Sequence, residues 1–480
     1  MNRTKRCAKS YFVLLFAVSA IAAIFFASPA FSALMQSITI QLTGVIGDLS
    51  DVTAASGSPT DIQVAVNAVY DAGGGTVHVP AGTFHWNGET VTIPGGVSVI
   101  GASSAGCTGH EANWKHYTAS TTIINDAAQP IANPTLVLDG TDGKNGQIRI
   151  SGLQIQAGQD PTSESTSGGS KGIEVREAKN YRIDHCTILN FNFRQISILA
   201  APNQWYTEAG HSSYGLIDHC FLDAPYKDNG GVWKVAYGID VFGNMQPKLN
   251  NWNPGTQKYA GKYQAFTDVS LVYVEDCNLR RLRHAVDTEN GGVACVRYTL
   301  FDHLADEGSN LWCTGELCQH PYWVDGQYSG LLMEAYYNRF VNVGTEGDPI
   351  PFPPASSNVG NMHRNCPVHP NRAHSLFAIV QRGGSGIYFG NEYYQPESSP
   401  NSFGILVWLR DESEAPPTGS ITQTYIWDQE AHVTNSWNGQ YLQVEAGVDL
   451  NVDYFLRQPN MTQDGWGYTP YPYPHPLVGA

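Results

Sequence analysis

The tetrad Ile-Asp-His-Cys occurs twice, inside RIDHCTI around Cys186 and LIDHCFL around Cys220. Aligned on the cysteine, further segments fall into line: RISGLQI with Leu153, YVEDCNL with Cys277, CVRYTLF with Thr299, EAYYNRF with Asn338 and YFGNEYY with Asn391. An apolar or aromatic side chain follows two residues later each time, at Ile155, Ile188, Leu222, Leu279, Phe301, Phe340 and Tyr393. The copies lie 33, 34, 57, 22, 39 and 53 residues apart. A helical repeat does not tolerate such variation, whereas a coil of short strands does, because each turn can carry a loop of any length. Successive turns then stack ~4.8 Å apart and equivalent residues form ladders.

The composition agrees with that reading. With 49 glycines, 27 prolines and 25 tyrosines against 15% charged residues, the 480-residue chain favours turns and strands over helical bundles. The aligned column, Leu153, Cys186, Cys220, Cys277, Thr299, Asn338 and Asn391, suits a narrow corner that admits small or hydrogen-bonding side chains. The cysteines there read as stacked buried thiols, with a rung-to-rung disulfide, or a metal site of His185, Cys186, His219 and Cys220, as the competing readings.

The start of the coil is legible too. In SPTDIQVAVNAVYDAGGGTVHVPAGTF, Ser58, Thr60 and Asp61 are cap-forming, and Ile62, Val66, Val69 and Tyr70 share one helical face. Gly73 to Gly75 end the helix before an alternating strand. Such a helix covers the open end of a stacked core and protects its strand edges.

These segments resemble the pectate-lyase-like superfamily of right-handed parallel β-helix proteins. The strand from Gly74 to Phe84 is similar to the family's GGTVxVPxGTY-like entry strand, and YRIDH resembles the Trp-Ile-Asp-His signature of pectate lyases, with Arg182 in place of Trp. The resemblance covers most of residues 58–428 and implies the fold more than the activity, since this architecture hosts lyases, hydrolases, isomerases, phage spikes and adhesins. The Asn-Thr-Asp, Asp-Asp, Gly-His-Gly and Arg-Ile-Lys elements of polygalacturonase-like enzymes do not occur here. Arg364 and Arg372 flank Pro367, but at a spacing unlike the pectate-lyase Arg-x-Pro-x-x-Arg element, so that role is not carried over.

The expected organisation is a signal peptide over 1–33, an extended N-terminal segment over 34–57, an all-β parallel β-helix domain over 58–428, and a tail over 429–480 packing on the last rungs. Arg3, Lys5, Arg6 and Lys9 precede an uncharged stretch from Tyr11 to Met35 with small residues at Ala30 to Ala33. That order of basic, apolar and small zones is a secretory signal, with an uncleaved anchor as its rival. The protein is therefore expected outside the cell or on its surface. The chain carries −16, and about −20 once the leader's four basic residues are removed, which repels nucleic acid and anionic membranes. Eight cysteines then remain, and Cys313 and Cys318 in CTGELC form the best candidate disulfide. The tail, GYTPYPYPHPLVGA, has prolines at alternate positions, which favour an extended chain lying along the solenoid.

Chemistry is expected on a second family of strands, YGIDVFGN, HAVDTENGG, LFAIVQRGG and GILVWLRDE. Pairing Ile239 with Val286 sets Asp240 over Asp287, and alternation turns Asp240, Phe242, Asp287 and Glu289 away from the core. Such a carboxylate group supplies an acid and a base for glycosidic cleavage, or binds calcium through Asp240, Asp287 and Glu289, neutralising a uronate. His284 is a candidate base, and Arg382 and Arg410 are candidates for holding a sugar carboxylate or moving a proton. A solvated acidic stripe is the alternative. Trp205, Tyr206, Trp233, Tyr237, Phe242, Trp252, Trp312 and Trp323 are placed to stack on pyranose faces. His363, Cys366, His369 and His374 have zinc-compatible spacing but equally suit an ordinary loop. The combined expectation is a polysaccharide-binding protein that cleaves its ligand, by β-elimination rather than hydrolysis, with a non-catalytic glycan-binding or adhesion module as the alternative.

Overall fold

The computed structural model describes residues 50–110, 114–127, 133–142, 146–158, 170–199, 212–224, 237–243, 252–253, 258–259, 271–280, 282, 284–289, 291–302, 315–319, 330, 332–341, 376–395, 403–409, 421, 423–433, 440–465 and 467–479. The leader, the zinc-compatible histidines with Cys366, and Cys313 lie outside them. Among the described residues no helix is long and apolar enough to cross a membrane.

The strands of each turn go to three all-parallel sheets, of twelve strands (sheet A), ten (sheet B) and ten (sheet C), visited in the order A, B, C on every turn. This is a right-handed parallel β-helix. Its inside is built of ladders of like side chains. In sheet A, Ile150, Ile183, Ile217, Val274, Val296, Ala335, Tyr388 and Ile426 are in register. In sheet B the row is Ile155, Ile188, Leu222, Leu279, Phe301, Phe340 and Tyr393, as the alignment requires, with Phe301 stacked 4.7 Å from Phe340 and Phe340 5.1 Å from Tyr393. In sheet C it is Ile173, Ile196, Ile239, Val286, Leu317, Ile379 and Val407. Each buried aliphatic side chain contributes roughly 1.5–3 kcal/mol, so the core's strength grows with the number of turns.

From Ser151 onward, sheet A passes to sheet B through a two-residue corner on eight successive turns. The first corner residue is left-handed every time: Gly152, His185, His219, Asp276, Tyr298, Tyr337, Gly390 and Asp428, with φ between 48 and 69°. That twist reverses the wall within two residues and drives the next side chain inward. Leu153, Cys186, Cys220, Cys277, Thr299, Asn338 and Asn391 therefore form a buried ladder. Asn338 and Asn391 donate to the carbonyls of Val296 and Ala335 at 2.8 and 2.9 Å, and the Cys186 and Cys220 thiols donate to those of Asp184 and Asp218 at 3.3 and 3.4 Å. Cys107, Cys186, Cys220, Cys277 and Cys295 are free buried thiols. A metal site of His185, Cys186, His219 and Cys220 is not formed. The thiols face the core, while the imidazoles stack outside at 4.8 Å, each with Nδ1 on its neighbouring aspartate.

Helix α1 (Pro59–Asp71) closes the N-terminal end. Ser58 caps it by accepting from the Asp61 amide, and Ile62, Ala65, Val66 and Val69 are its buried face. At the other end the sequence pattern fades after Trp427 but the sheets continue: Glu430–Val433 joins sheet B, Gln440–Val444 sheet C and Tyr454–Phe455 sheet A. The chain then turns back along the outside of sheet A. Tyr468 packs with Tyr273, Tyr336 and Phe389. Arg297 donates to the carbonyls of Tyr471 and Pro472, and Arg182 to that of Val478 at 3.1 Å.

Candidate functional site

The outer face of sheet C carries three rows set by strand register. Lys171, Arg194, Tyr237 and His284 form one, and Glu174, Ser197, Asp240 and Asp287 the next. Arg176, Leu199, Phe242 and Glu289 form the third. Alternation along each strand sends Ile239 and Val241 inward and Asp240 outward, and parallel stacking then puts Asp287 directly over Asp240.

Asp240, Asp287 and Glu289 converge, with one carboxylate oxygen of each within 4.8 Å of the others. They are not a solvated stripe: Asp240, Asp287 and Glu289 are 1%, 0% and 5% exposed. Arg194 approaches from the preceding rung, its Nε 2.6 Å from Asp240 Oδ2 but off the hydrogen-bond axis, so this pairing is by charge. Among the described residues no N–H or hydroxyl group donates to either oxygen of Asp287, whose side-chain neighbour is the Glu289 carboxyl. Burial, reinforced by the nearby charges of Glu289 and Asp240, pushes the Asp287 carboxyl well above the usual carboxylate range. Burial raises Asp240 as well, against the pull of Arg194. Burial also works against the Arg194 charge, but Asp240 and Glu289 outweigh it. Such a group is completed by an additional proton or by a hard cation, for which an all-oxygen donor set is the right chemistry.

Two rungs before Asp240 the balance differs. Glu174 is also buried, but Lys171 and Arg176 both contact it, Arg176 at 2.5 Å. Burial alone raises its pKa; the two cations overcome this and hold it below the ordinary value.

Tyr237 and His284, three residues before Asp240 and Asp287 on the same strands, are buried with their rings 5.3 Å apart, and Arg194 lies 5.9 Å from the Phe242 ring. Arg382 is placed differently from the expectation. The strand Gly315–Gln319 intervenes, so the residue stacked on Asp287 is Cys318, and the Arg382 strand comes one rung later. There the middle row turns apolar, as Cys318, Val380 and Trp408. Trp252 lies on a short ribbon, Trp252–Asn253, paired antiparallel with Lys258–Tyr259. Arg410, Trp205, Tyr206, Trp233, Trp312 and Trp323 lie outside the described residues. Arg194, Lys171 and Glu174 were not anticipated. Their signal is the inward pattern of KGIEVR and RQISIL, which aligns Ile173 and Ile196 with Ile239.

Fold and register thus define a parallel β-helix protein with a buried carboxyl group on one outer face. The sequence matches no family model and no curated protein. Among solved structures it is similar to an alginate lyase from Paenibacillus sp. str. FPU-7, at 12% identity over 82% of this chain and 99% of that one, TM-score 0.40. It is also similar to DFA-IIIase from Arthrobacter chlorophenolicus A6, at 9% identity over 83% and 93%, TM-score 0.41, and to pectin methylesterase from carrot, at 10% over 83% and 88%, TM-score 0.37.

Proposed function

We propose that this chain is an exported enzyme that binds a polysaccharide on the outer face of sheet C and cleaves it by β-elimination next to a uronate. The observation that carries the reading is the convergence of the Asp240, Asp287 and Glu289 carboxyls, with no N–H or hydroxyl group among the described residues donating to Asp287. A fold gains nothing from that arrangement, because each like charge in a buried site costs stability.

In the proposed reaction Arg194, released from Asp240 when that carboxyl takes a proton or a cation, offsets the charge of the uronate carboxylate, making the proton on the adjacent ring carbon more acidic. His284 removes that proton, and the protonated Asp287 carboxyl returns one to the departing glycosidic oxygen, so the carbon–oxygen bond breaks as the ring double bond forms. Tyr237 and Phe242 line the same face as stacking surfaces. Asp240, Asp287 and Glu289 alternatively fit calcium, which would neutralise a uronate in place of the Asp287 proton, the acid role then falling to another group. The carboxyls crowd more closely than the ~6.5–9.5 Å that an inverting pair needs to admit water, which argues against inverting hydrolysis. Export rests on the basic and apolar leader of the sequence.

The test is incubation with pectic, alginate and neutral glycans, with and without calcium, following ultraviolet absorbance of unsaturated ends and new reducing ends. Unsaturated products lost in Asp287→Asn support the reading. Binding without any product would make the protein a glycan-binding or adhesion module instead.

A further inference from the structure

The left-handed corner residues face outward at the vertex of the coil remote from sheet C. Gly, Asp and His tolerate that conformation; Tyr298 and Tyr337, with φ of 50 and 57°, are the bulky exceptions. Each costs roughly 1–2 kcal/mol relative to a relaxed backbone, and strain of this kind marks sites where a side chain is needed in one place. Tyr298 has a packing reason: Tyr473 of the tail stacks on it at 3.8 Å and donates to both oxygens of Asp276. Tyr337 has less, remaining 44% exposed.

Its ring lies directly on Gly390, where a Cβ would come within 2.5 Å of Tyr337 Cε1. The missing side chain seats the ring beside a cavity of about 310 Å³ lined by Tyr298, Tyr337, His110, Arg339 and Glu392. The tyrosine rings are 5.4 Å apart and tilted by 30°. Opposite them Arg339 Nε donates to Glu392 Oε2 at 2.9 Å, with both side chains partly exposed. His110 is held by Asp276 at 3.1 Å.

We infer that this cavity is a second saccharide site, for one or two neutral pyranose units, separate from the carboxyl group on sheet C. An aromatic wall meets the apolar face of a pyranose, and the fixed Arg339–Glu392 pair offers donors and acceptors to neighbouring hydroxyls. The volume is at the small end for ligand sites, enough for one or two sugar rings. Arg339 in the wall is already matched by Glu392, and His110 contacts Asp276, so a phosphate or uronate finds no surplus positive charge. The site tethers polymer away from sheet C.

Saturation-transfer NMR and affinity electrophoresis with soluble neutral glucans, mannans, xylans and galactans test this, using full-length protein carrying Asp287→Asn. Binding of at least one neutral oligosaccharide is expected, weakened tenfold or more by Tyr337→Ala and equally by Tyr337→Gly. The glycine variant relieves the left-handed strain, so weaker binding with an unchanged or higher melting temperature is not a folding defect. In the otherwise native enzyme, Tyr337→Gly leaves cleavage of short substrates unchanged, which separates this site from sheet C. Unaltered binding by Tyr337→Gly, or no binding of any neutral saccharide, overturns the inference.

Discussion

Asp184 and Asp287 are equally deep, both wholly buried on the outer face of a parallel sheet, and their surroundings are opposite. Asp184, on sheet A, accepts from Arg149 Nε and Nη2 at 2.7 and 2.9 Å, from Ser151 at 2.8 Å, and contacts His185 at 3.0 Å. Asp287, on sheet C, has no such donor among the described residues and two carboxyl neighbours. Burial raises both, but around Asp184 the hydrogen bonds from Arg149 and His185 reverse the sign and hold it far below the usual range. The same depth thus goes with a structural anion on one face and a carboxyl pushed well above the usual range on the other. Partners, not burial, separate architecture from chemistry in this solenoid.

The most severe test of that contrast is Asp287→Asn, which should lower turnover about 10²–10⁴-fold, the usual worth of a positioned acid. Wild-type rates would place Asp287 with the structural anions. Next comes Arg182→Ala. Arg182 is 4% exposed, binds both oxygens of Asp218 at 2.9 Å and reaches the tail, so its loss should cost about 3–5 kcal/mol in denaturant unfolding. A loss below 1 kcal/mol would mean that sheet A does not depend on its pairs.

The pH dependence should differ in sign. Asp184, depressed when folded, stabilises above its unfolded pKa, and that contribution disappears as pH falls towards the folded value. Asp287, raised when folded, favours the native state below its unfolded pKa and opposes it as pH climbs towards the folded value. Asp287→Asn should therefore match the wild type near pH 3 and become progressively more stable than it as pH rises to 7. Parallel stability curves for the two proteins would contradict this. The smallest effect sharpens the boundary within sheet C itself. Glu174 is paired, so Glu174→Gln should cost about 1 kcal/mol and leave turnover unchanged, measured on the same substrates.

The corner was legible in sequence because its geometry does not vary: a left-handed residue followed by an inward one leaves a fixed mark, and Ile155 to Tyr393 inherit their register from it. The stacking of Asp240 on Asp287 followed from matching Ile239 to Val286. Sheet C was harder to trace because long insertions separate its strands from that mark. The strand Gly315–Gln319 has little alternation to reveal it, so sequence spacing alone puts Arg382 one rung too near, and nothing in RQISIL by itself marks Arg194 as a partner of the carboxyls. Burial of the carboxyls was not legible at all, since alternation says which way a side chain points but not what covers it. The tail's prolines and tyrosines indicated an extended strap, but not the arginines of sheet A that receive its carbonyls.

The surplus of acid on sheet C can be observed directly by infrared difference spectroscopy between wild type and Asp287→Asn at neutral pH without calcium. The account predicts the carbonyl band of a protonated carboxyl in the wild type, lost on adding calcium or raising the pH. A spectrum containing only ionised carboxylate bands at neutral pH would contradict it.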